Sequence, residues 1–359
     1  MHYPVFDTTI TWPKITIVTP SFNQGQYIEK TILSVLDQNY PNLEYIIIDG
    51  GSTDNSVEII KKYEKYLSYW VSEKDKGQSN AINKGLQKFT GDVFNWLCSD
   101  DYLEPGSLRH IAEAFMSNKN IHCYAGKLRM FSLPNKTIGF YGNMLMPLWE
   151  DTIRIKVLKQ PAVFFSKQAI QSMGGINETL HYGMDAEWLY KFLFLFKEEN
   201  VVEDDIMIAH YLLHDTSKSG SQTAGFIKES DSMIYYFAKN KNLTSYAALL
   251  ELNELNKNYT FTENILNKTA KQLIERIVFF YLLRKSTKVF TGKDFEFAKQ
   301  FLSINHTVTN LKPDEIQMMR FLNKYVKNSN WLFFKMKRAY LWRIKKVHLS
   351  LEQFNLKNN

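Results

Sequence analysis

The sequence predicts an α/β domain over residues 1–225, followed by a mostly α-helical and basic region over residues 226–359. Strand and helix patterns alternate through the first hundred residues, which is typical of a parallel sheet wrapped by helices. From about residue 226 the pattern is helical, rich in lysine and poor in glycine. The first 234 residues carry 22 basic and 28 acidic side chains, and the remainder carries 22 and 9. We therefore expect two regions with different roles.

The α/β pattern can be followed element by element. Apolar, β-branched runs at 15–19, 44–49, 69–72 and 93–97 predict four strands. The helices between them are predicted from apolar residues at helical spacing: Ile28, Ile32, Val35 and Leu36, then Val57, Ile60, Tyr63 and Leu67, then Ile82, Leu86 and Phe89. Farther along, we predict a hairpin over 121–131 and 137–141, a strand over 160–165, a helix over 185–196, an extended segment over 201–213 and a polar loop over 217–225.

Composition and missing motifs exclude several classes of protein. The two cysteines, Cys98 and Cys123, form no CxxC pair, which argues against a disulfide framework or zinc ribbon and favours a reducing, cytoplasmic location. No apolar run approaches the roughly 18 residues of a spanning helix. Residues 1–14 lack the charged and apolar segments of a signal peptide. The GxGxxG and GxxxxGK[ST] motifs of dehydrogenases and P-loop enzymes are also absent.

Polar and acidic residues collect where the four predicted strands end, at 19–23, 49–54, 73–78 and 99–101. Ligands of open α/β sheets bind beyond the carboxyl ends of the strands, so these loops predict a pocket for a polar ligand. Asp100 and Asp101 are adjacent carboxylates, and Mg²⁺ and Mn²⁺ prefer carboxylate oxygens. The alternative is that Ser99, Asp100 and Asp101 only cap the following helix.

Three stretches in order resemble the family 2 glycosyltransferases, which have the GT-A fold. They read ITIVTPSFNQGQYIEKTILSVLDQNYPNLEYIIIDGGSTDNS, EKDKGQSNAINKGLQKFTGDVFNWLCSDD and QPAVFFSKQAIQSMGGINETLHYGMDAEWLYKF. The resemblance covers roughly residues 14–220. It implies a GT-A-type nucleotide-binding sheet with flanking helices. The implied reaction transfers a sugar, with inversion, from a nucleotide-diphosphate donor to an acceptor hydroxyl, as in hexosyl- or N-acetylhexosaminyl-transferases.

The resemblance also implies roles for individual residues. Asp185, in GMDAEW, would be the catalytic base. Asp101 would ligate the Mn²⁺ or Mg²⁺ that bridges the diphosphate, and His214 would lie near the metal. The implied donor-binding residues are Pro20, Ser21, Asn23, Asp49, Gln78, Asn80, Asn83 and Asp100.

The sequence departs from the family pattern at three positions. Gly50 replaces an acid that often reads the nucleobase, since DDGS is DGGS here. Cys98 replaces the first acid of the usual Asp-x-Asp, so Asp101 is expected to carry most of the metal contact. Met184 replaces the Glu that usually precedes the catalytic Asp, and Glu187 is therefore a rival base.

Further candidates lie near the proposed base and the polar loop. Trp149 and Trp188 are candidates for stacking on an acceptor sugar, with core packing as the alternative for both. His181 is a candidate for binding acceptor hydroxyls. Lys218 is a candidate second cation for the diphosphate once its loop closes, and the alternative is a solvated lysine.

The C-terminal region contains a predicted basic amphipathic helix. Such a helix can lie in an anionic membrane interface, which would place the protein at the inner face of the cell membrane beside a lipid-linked acceptor. The alternative is that its apolar face packs on other helices of the protein. Nucleic-acid binding is not expected, because no reading module accompanies the charge. The apolar face comprises Phe333, Met336, Tyr340, Ile344, Val347 and Leu351, and the basic face comprises Lys335, Arg338, Lys345 and Lys346.

The favoured function is a glycosyltransferase that modifies a glycan or lipid-linked glycan acceptor in surface polysaccharide or glycoconjugate synthesis. Two alternatives stay open from the sequence. One is a sugar nucleotidyltransferase built on a similar sheet, and the other is a non-catalytic carbohydrate- or membrane-binding scaffold.

Overall fold

The computed structural model describes residues 6–133, 136–142, 145–155, 158–215, 217–218 and 222–345. The chain forms two compact units, Met1–Glu229 and Ser230–Asn359, whereas the predicted boundary lies after residue 225. Within the described residues, no helix is both long enough and apolar enough to cross a membrane.

The first four strands form the parallel part of the sheet, in the order β3-β2-β1-β4. This confirms the predicted alternation of strands and helices. The seven residues of β1 are all buried, because helices cover both faces of the sheet. The elements are β1 (Ile15–Ser21), α1 (Ile28–Leu36), β2 (Leu43–Asp49), α2 (Ser56–Tyr63), β3 (Tyr69–Ser72), α3 (Gln78–Lys88) and β4 (Val93–Trp96).

The remaining strands make the sheet mixed, because β8 pairs antiparallel with both β4 and β6. The sheet continues β4-β8-β6-β9-β5, and β7 pairs with β6. The β6–β7 hairpin is confirmed as antiparallel, because the link from Ser132 to Lys136 is too short for the crossover that parallel strands need. These strands are β5 (Tyr102–Leu103), β6 (Cys123–Ser132), β7 (Lys136–Tyr141), β8 (Val163–Ser166) and β9 (Val201–Leu213).

The predicted strand over 160–165 begins later than expected. Gln160–Ala162 is a 3₁₀ turn and only Val163–Ser166 is a strand. Pro161 explains the difference, because its fixed φ favours the start of a helical turn and it lacks the N–H for a ladder. The helices in this part are α4 (Ser107–Ser117), α5 (Trp149–Ile155), α6 (Lys167–Met173) and α7 (Met184–Leu195).

Close packing of α3 on β1 fixes the loop that precedes α3. A Cβ on Gly85 would lie 2.4 Å from Val18 Cγ1, so only glycine allows this approach of helix and strand. Gly77, directly before the helix, has a φ of +108° and turns the chain from β3 into α3. The N-terminus of α3 therefore lies at the carboxyl edge of the parallel strands.

The second unit is helical, as predicted. Its buried charges are paired: Arg276 lies 2.7 Å from Glu315, and Lys285 lies 2.6 Å from Asp231. Its helices span Thr244–Leu250, Glu263–Lys268, Lys271–Thr287, Gly292–Ser303, Pro313–Leu322 and Trp331–Lys345, and Thr223–Asn240 contains the residues at which the units divide.

Candidate active site

A cavity of about 680 Å³ opens in the first unit at the carboxyl ends of the parallel strands. Its wall comes from the loops after β1, β2, β3 and β4, from the start of α7 and from Ser217, Lys218, Gln222 and Phe226. The loops that the strand-end argument singled out therefore surround one cavity. The sequence-predicted site residues that line it are Pro20, Ser21, Gln78, Asp100, Asp101, His181, Asp185 and Lys218.

Asp49 and Asn23 lie outside the cavity lining and hold the neighbouring loops instead. Asp49 is fully buried, and its Oδ2 accepts hydrogen bonds from Ser52 N (2.8 Å) and Ser72 Oγ (2.6 Å). Asn23 Oδ1 accepts one from Thr53 N at 2.9 Å. In this structure both side chains satisfy backbone N–H groups of the turn, and their donor contacts stay a prediction.

The predicted donor-side role of Asn80 and Asn83 is also not what the structure shows. Asn83 exchanges two hydrogen bonds of 2.8 Å with the backbone of Ile176, and Asn80 Oδ1 accepts one from Lys76 N at 3.3 Å. Neither side chain is in the cavity lining. These amides are occupied with fixing the loops on either side of α3.

The two tryptophans do not line the cavity; burial leaves Trp188 no open face for a sugar, whereas the role of Trp149 stays a prediction. Trp188 is fully buried, its Nε1 donates to Gly174 O at 3.0 Å, and its ring packs 4.9 Å from that of Trp96. Trp149 begins α5 rather than lying in a loop. For Trp188, core packing is the observed alternative.

The acid pair after β4 contains a buried oxygen without a partner. Asp101 is 1% exposed; its Oδ1 accepts a hydrogen bond from Leu212 N at 3.1 Å, and its Oδ2 has none among the described residues. Burial raises the pKa of Asp101 well above its usual range, and the neighbouring Asp100 carboxylate raises it further. Single donor atoms of Cys98, Asp100 and Asp101 lie within 4.8 Å of one another. These residues fit a divalent cation, which would partner the orphaned oxygen.

His214 contacts this pair from outside the cavity lining. Its Nε2 lies 3.0 Å from Asp100 Oδ2, and its ring centroid lies 4.6 Å from that of Tyr27. The structure thus pairs His214 with Asp100 and does not include it in the cluster of candidate ligands. The alternative that Asp100 and Asp101 cap the next helix is wrong, since α4 begins at Ser107 with Gly106 as its N-cap.

Asp185 is a further carboxylate of the lining, in the first turn of α7. Its Oδ1 accepts a hydrogen bond from Ala186 N at 2.7 Å, and the side chain is partly exposed to the cavity. Glu187, the rival base, is fully buried and lies outside the lining, with Lys191 Nζ 3.7 Å from its Oε2. Two residues farther along a helix, its side chain faces the core.

Glu229 is a site residue that no sequence motif marked. Its carboxylate accepts three backbone hydrogen bonds, from the N–H groups of His181 (2.7 Å), Tyr182 (2.8 Å) and Gly183 (2.7 Å). It is buried, so these bonds are shielded from water. Glu229 therefore fixes the turn that presents Asp185, although Met184 stands where an acid is usual.

Lys218 reaches into the cavity through a chain of hydrogen bonds. Its Nζ donates to Gln78 Oε1 and to His181 O, both at 3.0 Å, and Gln78 Nε2 donates to Cys98 Sγ at 3.1 Å. Burial lowers the pKa of Lys218, while the carboxylates around it act in the opposite direction. The predicted alternative of a solvated lysine is wrong, because these contacts place the ammonium at the cavity wall.

Asp75 lies in the polar loop that was predicted at the end of the third strand, and it offsets the acid that Gly50 lacks. A Cβ on Gly50 would lie 2.8 Å from Asp75 Oδ2, so the Asp75 carboxylate occupies the space above this glycine. Gly77 N donates to Asp75 Oδ1 at 2.7 Å and fixes its orientation. A carboxylate is therefore present at this point of the lining, supplied from the loop after β3.

The fold and site together describe an α/β domain whose cavity combines a cluster of possible metal ligands with a further carboxylate, Asp185. Residues 16–159 match the model of glycosyl transferase family 2. A Rickettsia typhi glycosyltransferase described as uncharacterized is 26% identical over 58% of this chain and 67% of its own length. Bacillus subtilis TuaG, named for teichuronic acid biosynthesis, is 35% identical over 32% of this chain and 46% of its own length. Residues 16–159 are therefore similar to glycosyl transferase family 2, and the protein is a glycosyltransferase.

Solved structures support the same fold. Residues 1–349 of S. aureus TarS, in complex with UDP-GlcNAc, superpose with a TM-score of 0.53 at 17% identity, over 80% of this chain and 78% of that one. Full-length S. aureus TarS gives a TM-score of 0.52 at 15% identity, over 85% of this chain and 49% of its own. The predicted GT-A-type fold is confirmed.

Replacement of Glu229 by Gln tests its role in fixing the turn before Asp185. We expect Glu229→Gln to lower the free energy of unfolding by about 1.5–3 kcal/mol, because an amide cannot replace a charged acceptor of three N–H groups. Urea denaturation measures this. Exposed Glu58→Gln is the control, with an expected change within about 0.5 kcal/mol. Equal effects of the two substitutions would contradict the assignment.

Replacement of Asp101 by Asn tests how much the buried, unpartnered carboxylate oxygen lowers the free energy of unfolding. With a chelator present, Asp101→Asn should raise the free energy of unfolding by about 1 kcal/mol or more, because it removes a buried charge beside Asp100. Added Mn²⁺ should stabilise the wild type and not the variant. The highly exposed Asp205→Asn is the control. A variant less stable than the wild type in chelator would count against this interpretation.

Proposed function

We propose that the protein transfers a sugar, with inversion, from a nucleotide-diphosphate donor to an acceptor hydroxyl. The observation that carries this is the arrangement of carboxylates around one cavity. Asp100 and Asp101, with an unpartnered buried oxygen, lie on one part of the lining, and Asp185 lies on another. Inverting transfer needs a base on the side of the anomeric carbon away from the leaving group, and we assign this role to Asp185.

The donor side of the cavity is polar, and some of its buried hydrogen-bonding groups have no partner among the described residues. Ser21 Oγ and Gln24 Oε1 are buried at the cavity and have no hydrogen-bond partner among the described residues. Buried polar atoms normally find partners, so hydroxyl and N–H groups of a bound nucleoside are suitable ligands. Pro20 and Asp75 complete this side. The UDP-GlcNAc complex of TarS, which shares the fold, supports a nucleotide sugar as the ligand.

Positive charge is required where the diphosphate leaves. Asp101 and Asp100 would hold Mn²⁺ or Mg²⁺, which supplies neutralisation of the charge that develops on the leaving group. Lys218 supplies a cation from the protein itself, and Gln78 Oε1 orients its ammonium group. A partly buried cation acts more strongly on the leaving phosphate than one in water would.

Asp185 acts on the acceptor. As the acceptor oxygen forms its bond to the anomeric carbon, the bond to the phosphate oxygen breaks and the hydroxyl proton passes to the Asp185 carboxylate. General-base assistance of this kind contributes about 10²–10⁴-fold to the rate. Glu229 keeps Asp185 in place by fixing residues 181–183. His181 and Tyr182, both in the lining, are in position to bind acceptor hydroxyls.

The acceptor is a glycan or lipid-linked glycan of a surface polysaccharide or glycoconjugate. The exposed apolar and basic residues of the helix Trp331–Lys345 support binding of the protein to a membrane surface. Leu332, Phe333 and Met336 are 66%, 54% and 63% exposed, so the predicted apolar face does not pack on other helices there. Phe334, on another side, is buried. Residues 331–346 contain six Lys and Arg and no acid. Lys346, Val347 and Leu351 of the predicted helix lie outside the described residues, as do the side chains of Tyr340, Ile344 and Lys345.

Replacement of Asp185 by Asn tests the proposed base. We expect Asp185→Asn to lower the rate of transfer by about 10²–10⁴-fold or more, because the amide cannot accept the proton. Donor affinity should stay within a few-fold, measured by calorimetry with the nucleotide sugar. Glu187→Gln, which alters a buried carboxylate two residues away, should lower stability and leave the rate largely intact. Near-normal turnover by Asp185→Asn would contradict the mechanism.

Membrane association can be measured by sedimentation with vesicles of anionic or zwitterionic lipid. We expect the protein to bind anionic vesicles, and Met336→Glu to weaken this binding because it places an acid on the apolar face. Leu252→Glu is the matched control, since Leu252 is 58% exposed in the same unit but lies outside the basic helix. Equal binding to both lipids, or equal loss in both variants, would argue against a membrane role.

A further inference from the structure

Cys98 lies next to the two carboxylates because the chain turns back immediately after β4. Asp101 N donates to Cys98 O at 3.0 Å, and this turn brings the side chains of residues 98 and 101 together. One donor atom each of Cys98, Asp100 and Asp101 lies within 4.8 Å of the other two. The cluster is therefore a set of possible metal ligands that mixes one sulfur with carboxylate oxygens.

A second observation shows that this cluster is built to receive a cation. The Oδ2 atom of Asp101 is buried and has no hydrogen-bond partner among the residues that the structure describes. Asp101 as a whole is 1% exposed, so bulk water does not satisfy this atom. A bound cation would supply the partner that this oxygen lacks.

We propose that Cys98, Asp100 and Asp101 form a thiol-containing site that binds Zn²⁺ when no nucleotide is present, in competition with the ion that transfer requires. The idea goes beyond the proposed function, because it assigns a ligand set and an ion that sugar transfer does not need. On binding, a Zn–S bond replaces the S–H bond of Cys98, and one proton is released to the solvent. The fourth position is left to water.

The choice of ion follows from the chemistry of the sulfur. Thiolates bind Zn²⁺ and Co²⁺ well, whereas Mg²⁺ and Mn²⁺ prefer oxygen ligands. Ligand atoms of a tetrahedral zinc site lie about 3.5 Å apart, given bonds of about 2.0–2.3 Å. The cluster, within 4.8 Å, needs only a small closure of side chains to reach that spacing. Zn²⁺ also exceeds Mn²⁺ in general affinity for such ligands.

Burial and the neighbouring Asp101 and Asp100 carboxylates raise the pKa of the Cys98 thiol well above its usual range, so the incoming metal has to displace the thiol proton. Gln78 Nε2 donates a hydrogen bond to Sγ at 3.1 Å, and Lys218 Nζ in turn donates to Gln78 Oε1 at 3.0 Å. A metal-bound sulfur can keep this hydrogen bond, since outer contacts of this kind orient ligands. Cys98 is also partly accessible, whereas Cys123 is fully buried within β6. The two cysteines of the chain are thus clearly different in access.

Cobalt spectroscopy of the full-length protein tests the ligand set directly. Titration with Co²⁺ should produce a near-ultraviolet sulfur-to-cobalt charge-transfer band, which Zn²⁺ should then abolish at equimolar amounts. The band should be lost in Cys98→Ser and in Cys98→Ala. It should persist in Cys123→Ser, the matched control. A competing chelator should show Zn²⁺ affinity lowered by about 10- to 100-fold or more in Cys98→Ser, because even outer-shell changes cost about that much.

The outcomes separate this inference from the proposed function. Absence of the band in the wild type, or its persistence in Cys98→Ser, overturns the thiol site, even if nucleotide sugars bind with Mn²⁺. Loss of the band only in Cys123→Ser overturns it as well. If the band is present but no nucleotide sugar binds with any ion, the thiol site stands and the proposed function fails.

Discussion

The burial of Asp101 beside Asp100 is the constraint on which the site depends. A carboxylate with an unpartnered, buried oxygen is unfavourable in a folded protein, and here the Asp100 carboxylate beside it adds like charge. Backbone contacts hold them: Leu212 N donates to Asp101 Oδ1, and Asp101 O accepts from Thr31 Oγ1. Strand β9 and helix α1 thus keep the acids at the end of β4. The protein gives up stability at this point to keep a site for positive charge.

The part of the cavity lining that contains Asp185 is organised by a different kind of contact. Asp185 lies in the first turn of α7, and a distant carboxylate, Glu229, fixes the turn before it through three N–H groups. Lys218 links this part of the lining to α3, because its ammonium donates hydrogen bonds both to Gln78 Oε1 on α3 and to the carbonyl oxygen of His181. Base, cation side and nucleotide side are therefore connected through hydrogen bonds within the first unit. A disturbance at any of these residues is expected to reach the others.

The sequence predicted the parts of the structure that depend on local patterns. The parallel strands follow from short apolar runs, and the cavity follows from the polar residues at their carboxyl ends, which is why Ser21, Gln78 and Asp101 were found. Asp49 and Asn83 lie outside the cavity lining, because residue type does not reveal whether a polar group faces a ligand or satisfies a nearby backbone N–H. Glu229 was missed because its partners are set by tertiary contacts that leave no periodic pattern.

The central claim is that the cavity binds a nucleotide diphosphate together with a divalent cation. The most direct measurement is the thermal transition of the full-length protein with a panel of nucleoside diphosphates and nucleotide sugars, with and without Mn²⁺. A ligand stabilises the folded state by RT ln(1 + [L]/Kd), so binding raises the transition temperature. We expect one nucleotide to raise it most, and Mn²⁺ to increase that rise. No shift with any nucleotide, in either condition, would contradict the account.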